Sequence, residues 1–195
     1  MKTLILGLIV FFGVHSISML ALDWRNRVAA RLGTMAWQGI YAVVAAIGLY
    51  LLVTGYGPAR AGAETMYVSP PWLRYVAAVL MLPVFTLALA SVLPGRIRSA
   101  AKHPLLLATL LWAVAHLLTN GSAADLLLFG VFLVWAVAVR ISLERRPARP
   151  IRALPASALN DVIAVVGGLA LYVAFVLWLH ARWVGVPPLA AIAPH

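Results

Sequence analysis

The chain has 195 residues, of which 64% are hydrophobic and only 10% charged, with a formal net charge of +10 and no cysteine. A soluble domain carries about 25% charged residues, so five acids and fifteen bases cannot clothe a water-facing surface. This excludes an ordinary soluble enzyme, a disordered chain and a free nucleic-acid-binding domain, and leaves a membrane protein.

A hydrocarbon core of about 30 Å takes about 20 apolar residues per helix. Six stretches meet or approach that length: residues 3–22, 36–56, 72–94, 104–119, 124–142 and 161–182. The first resembles a signal peptide from Lys2 to Val14, but its apolar run continues to Leu22 without a small-x-small cleavage site, and it reads as an uncleaved span. The second is followed by Pro58. Pro83 inside the third predicts a kink. The fourth is short, held between Pro104 and the turn pair Asn120-Gly121. The fifth and sixth are joined by the longest loop, 144–160, where Pro147, Pro150 and Pro155 predict an extended linker. No internal repeat stands out, and no loop is long enough for a soluble domain.

Charge placement orients these spans. One side receives the loops 23–35, 95–103 and 143–160. It carries Arg25, Arg27, Arg31, Arg96, Arg98, Lys102, Arg140, Arg145, Arg146, Arg149 and Arg152, eleven bases against four (Lys2, Arg60, Arg74 and Arg182) on the other. Basic residues gather on the cytoplasmic side, so the charge reads as topology and lipid contact rather than as a nucleic-acid footprint. Trp24, Trp37, Trp72 and Trp183 fall near span ends, as an interfacial aromatic belt requires. The expectation is one all-α domain over residues 1–195: a polytopic bundle of six transmembrane helices in a bacterial inner membrane, with both termini periplasmic and lipids as its constant partners.

Ionisable groups in hydrocarbon are expensive and call for a reason. Asp23, Glu64, Asp125, Glu144 and Asp161 all fall at span ends or in loops, which argues against a carboxylate-driven transporter. His15 and His116 lie inside spans, His103 stands at the entry of the fourth, His180 near the outer end of the sixth and His195 at the terminus. Neutral imidazole is an axial ligand for haem iron, and two from facing helices suffice. A lone intramembrane histidine also serves simply to hydrogen-bond a neighbouring helix. His103 and His116 are thirteen residues apart, about 140° around a helix, so they do not share a face. Spacing leaves open which of them would pair with His15. Trp112, His116 and Asn120 do share a face.

At these residues the chain resembles the NnrU family. The resemblance rests on Gly13-Val14-His15-Ser16, Arg31-Leu32-Gly33, Trp37-Gln38-Gly39-Ile40-Tyr41, Gly55-Tyr56-Gly57-Pro58-Ala59-Arg60 and Leu93-Pro94-Gly95-Arg96-Ile97. It continues through Lys102-His103-Pro104, the run from Trp112 to Gly121, Arg140-Ile141-Ser142 and His180-Ala181-Arg182-Trp183-Val184-Gly185. The family is associated with bacterial nitrite and nitric oxide reduction. It is similar to the zeta-carotene isomerases, which hold a b-type haem between membrane histidines. That similarity implies haem b here, with His15 and His116 as axial ligands to the iron and His103 as the candidate catalytic, substrate-side residue. Arg74, Arg96, Arg98 and Arg140 are the candidates for the two propionates, and the implied chemistry is redox or isomerase-like, on a small or lipophilic substrate. A more distant resemblance is to the isoprenylcysteine methyltransferases, through His103-Pro104 and Arg140-x-x-x-Glu144, and implies S-adenosylmethionine. Lys102, Leu106 and Arg145 depart from that pattern. The third reading is a non-enzymatic accessory factor of a respiratory complex.

Overall fold

The computed structural model describes residues 1–145 and 155–189, so part of the expected proline-rich linker (with Arg146, Pro147, Arg149, Pro150 and Arg152) and His195 lie outside the described residues. The described chain is helical and divides into two compact units: residues 1–67 with 122–145, and residues 68–121 with the chain after 145.

The first unit is built on α1 (Lys2–Leu20), α2 (Leu22–Leu32), α3 (Thr34–Ala61) and α8 (Ala123–Glu144). Its centre is the packing of α1 on α3, where glycines let two backbones meet. A Cβ on Gly7 would stand 2.7 Å from the Leu52 amide nitrogen, one on Gly48 2.7 Å from that of Phe11, and one on Gly55 2.7 Å from that of Leu4. Small residues at helix contacts serve this purpose in membranes, where burial of apolar surface supplies no net drive between helices. The opposite faces carry large apolar side chains outward, Val53 at 69% and Val134 at 70% exposure, as lipid-facing positions require.

The segment 23–35, a loop by its polarity, folds instead into α2. It is set off from α1 by Ala21 at φ −140°, ψ 53° and from α3 by Gly33 at φ 83°. None of its side chains is buried. Arg25, Arg27 and Arg31 conceal its helical character from a search for long apolar runs. Pro58 does not stop α3, which runs to Ala61: proline's fixed φ suits a helix.

The second unit holds α4 (Leu73–Met81), α5 (Val84–Ala90), α6 (Arg96–Ala101), α7 (Pro104–Thr119), α9 (Ala158–Ala174), a π-helical turn Phe175–Leu179 and α10 (His180–Val184). The kink expected at Pro83 is present as the break between α4 and α5. Val84, Leu87 and Ala108 form a buried cluster with Met81, Leu111 and Trp112 against it. Gly168 of α9 fits against α5, where a Cβ would lie 2.5 Å from the Thr86 amide nitrogen. Tyr172 then donates a hydrogen bond to the Ala78 carbonyl at 3.0 Å.

Among the described residues five helical segments are long and apolar enough to cross a membrane: Lys2–Leu20, Thr34–Ala61, Leu73–Ala90, Ala123–Glu144 and Ala158–Val184. The expected fourth span falls on the apolar α7, which is shorter than these: its 16 residues rise about 24 Å.

Candidate functional site

His15 lies in the first unit, one turn beyond Phe11. Its Nδ1 is 2.6 Å from the Phe11 carbonyl oxygen. A carbonyl only accepts, so in the neutral ring Nδ1 carries the proton and Nε2 the lone pair. Aromatic rings surround the imidazole: Phe11 stacks on it at 4.1 Å, and Tyr41 and Trp135 present edges at 5.3 and 5.9 Å between centroids. Ser16 accepts a hydrogen bond from the Trp135 indole at 3.1 Å, which holds α8 beside the histidine.

His116 lies in the second unit and repeats the local arrangement. Its Nδ1 meets the Trp112 carbonyl at 2.8 Å, the Trp112 ring lies 5.1 Å away, and Asn120 donates to the His116 carbonyl at 3.0 Å. The shared face expected for Trp112, His116 and Asn120 is therefore an interlocked series of i, i−4 bonds. Facing it is a residue that sequence spacing did not single out: His180, its ring centroid 6.5 Å from that of His116 and inclined by 27°. His180 directs its own Nδ1 to the Val186 carbonyl. It follows directly on the π-helical turn, a local widening that frequently marks functional positions.

His103 occupies the N-cap position of α7. The preceding Lys102 has φ 57°, ψ −50°, and the His103 amide donates back to Ala101 at 2.6 Å. This is a γ-turn of the rare, strained hand, built into Lys102-His103-Pro104. Among the cationic candidates, Arg140 belongs to the first unit and pairs with Glu144 at 3.3 Å. Arg74, Arg96 and Arg98 belong to the second. Arg96 and Arg98 sit on α6 at the start of α7, whereas His116 is twelve residues along it, about 18 Å by helical rise. Arg74 lies at the beginning of α4.

Two carboxylates read as peripheral are structural centres. Asp125 is 1% exposed. Its Oδ1 accepts from the Tyr56 hydroxyl at 2.6 Å and lies 3.4 Å from Arg60 Nε, while its Oδ2 accepts from the Ser122 amide at 2.9 Å. Ser122 Oγ in turn accepts from the Asp125 amide, which completes a capping box at the start of α8. Ser122-x-x-Asp125 is legible as such a box; Tyr56 and Arg60 become its partners only through the fold. Tyr67, in the loop after α3, has its phenol pushed above the ordinary value by burial and, secondarily, by the Asp125 charge. Asp161 of α9 accepts from the Arg96 and Ile97 amides at 2.8 and 3.1 Å, capping α6 from 65 and 64 residues away. Among the described residues no three His, Cys, Asp or Glu side chains group around a common metal position.

Several long apolar helices with outward-facing aliphatic side chains define a multi-pass membrane protein. The chain belongs to the NnrU family, whose sequence model (described as NnrU protein) matches residues 3–188. No curated protein and no solved structure matches it.

Proposed function

We propose that this NnrU-family protein binds haem b in the bacterial inner membrane and acts in a redox or isomerase-like reaction on a small or lipophilic substrate. The periplasmic termini, the six crossings and the link to nitrite and nitric oxide reduction belong to the same reading. The observation that carries it is the state of the two histidines: each commits Nδ1–H to the carbonyl four residues earlier, so the basic lone pair sits on Nε2. That is the donor arrangement of a ligating imidazole, whose other nitrogen is held by a carbonyl that orients the ring and raises its basicity. The donor type fits the group, since each histidine offers a neutral imidazole nitrogen and haem iron needs no thiolate.

Haem b, if bound through His15 and His116, would supply a one-electron couple whose potential depends on its ligands and on the dryness of the site. The chain's part is to orient the rings. His15 is oriented by the Phe11 carbonyl and flanked by the Phe11, Tyr41 and Trp135 rings. The His116 ring is oriented by the Trp112 carbonyl, and Asn120 bonds the His116 backbone carbonyl. Arg74, Arg96 and Arg98 in the second unit and Arg140 in the first are the candidates for a carboxylate contact. His103, fixed by the strained Lys102 turn, is the candidate for proton exchange with substrate.

The test is a reduced-minus-oxidised visible spectrum of protein purified from haem-replete cells. A b-type spectrum is expected, lost or altered in both His15→Ala and His116→Ala. A featureless spectrum from folded protein overturns the proposal and returns the histidines to helix packing.

A further inference from the structure

The first unit contains a cavity beside the surroundings of His15. It has a volume of about 230 Å³ and opens between α1, α2 and α3. Its wall is of two kinds. Val14 and the Trp37 ring give an apolar side, and Ser18, Arg25, Gln38 and Tyr41 bring a hydroxyl, a guanidinium, an amide and a phenol to the same space. Arg25 is held in place, with its guanidinium carbon 5.8 Å from the Trp37 ring centroid. Trp24 braces Trp37 edge-on at 6.1 Å. The roof, α2, buries none of its side chains and carries three arginines against one aspartate. That is the composition of a helix lying in an anionic headgroup layer.

We propose that this cavity binds the headgroup of a single anionic phospholipid. The phosphate sits against Arg25, the neighbouring hydroxyls and amide take its remaining oxygens, and the glycerol end runs along Val14 and Trp37. A bare inorganic anion leaves the apolar wall unused, and a zwitterionic headgroup brings its own cation toward Arg25. The combination of donors, one cation and an apolar wall therefore selects an anionic amphiphile. Tyr41 lines the cavity and also presents an edge to the His15 ring.

The test uses the full-length protein in mild detergent with equimolar phosphatidylglycerol and phosphatidylcholine, and counts retained lipid by native mass spectrometry. One phosphatidylglycerol is expected to be retained in preference to phosphatidylcholine. Arg25→Ala should lower that retention about fivefold, the worth of one basic contact with an anionic headgroup. Arg25→Lys should keep most of it, and Arg27→Ala, on the same helix but away from the cavity wall, should keep all of it. Equal retention of the two lipids overturns the proposal. So does an equal loss in Arg25→Ala and Arg27→Ala, which means surface charge alone. Displacement of the lipid by millimolar inorganic phosphate overturns it in favour of a simple anion site. A matching elution profile for each variant separates these outcomes from misfolding.

Discussion

At the scale of single residues, Asp125 shows how a charge is accommodated away from water. Its carboxylate receives a phenol, a guanidinium and a backbone amide, and removing an acceptor that buried leaves its donors without partners. Each buried donor left without its acceptor costs about 1–3 kcal/mol, and Asp125→Ala strands the Tyr56 hydroxyl and the Ser122 amide, so a loss of about 2–5 kcal/mol is expected in thermal unfolding of the detergent-solubilised protein. Tyr56→Phe removes one hydrogen bond and should cost about 1–2 kcal/mol. Arg60 is 36% exposed and solvent screens its pairing, so Arg60→Ala should cost less than about 1 kcal/mol. Equal losses for Arg60→Ala and Asp125→Ala would show that charge pairing, not the phenol and amide bonds, holds the site. The aspartate was legible only as a helix cap, because Ser122 is three residues away while Tyr56 is 69.

At the scale of helices, the glycines separate close approach from propensity. Gly48 and Gly55 meet backbone atoms of α1, which cannot move aside as a side-chain tip can. Gly48→Ala and Gly55→Ala should therefore each destabilise by about 1–3 kcal/mol through overpacking. Gly13, on the same helix pair but with nothing near its Cβ position, should tolerate alanine and gain up to about 1 kcal/mol from helix propensity. Unfolding of the three variants side by side decides this; a gain in Gly48→Ala would contradict the backbone contact. The six-residue α6 depends on a cap supplied by another helix. Asp161→Ala is expected to speed hydrogen exchange at Arg96 and Ile97, with a stability loss of about 1 kcal/mol. Both amides exchanging as in the parent would mean that α6 is held by packing alone. These devices explain why the spans were readable and their partners were not: apolar length is local, while a glycine shows neither which backbone approaches it nor from which side.

At the scale of the whole molecule, the question is how many times the chain crosses. Thr65 pairs with Ser122, and the Ala123 amide donates to the Glu64 carbonyl at 2.9 Å, so the end of α3 and the start of α8 share one side. If Leu73–Ala90 carries the chain across, the short α7 has to bring it back. The cysteine-free sequence allows a direct test with single introduced thiols. Ala63→Cys and Ser99→Cys are expected to react with a membrane-impermeant maleimide from opposite sides, with Ser99→Cys on the basic, cytoplasmic side. Labelling from the same side would remove both the third and the fourth crossing. A 16-residue α7 can still cross when polar ends and local thinning of the bilayer absorb the mismatch.

Composition and apolar run length alone pointed to a helical membrane protein, to the five helices long enough to cross a bilayer and to the break at Pro83, because a bilayer tests each segment by its own length and polarity. The same local logic places His15 inside one of those helices and His116 in the shorter apolar α7, and the family match over residues 3–188 agrees with the motifs around them. Only the tertiary structure decided that α2 is a helix roofing a cavity, that Asp125 and Asp161 are fully engaged acceptors, and that His116 faces His180. Each of these depends on groups distant in sequence meeting at a few ångströms, and hydropathy carries no information about which helix faces which.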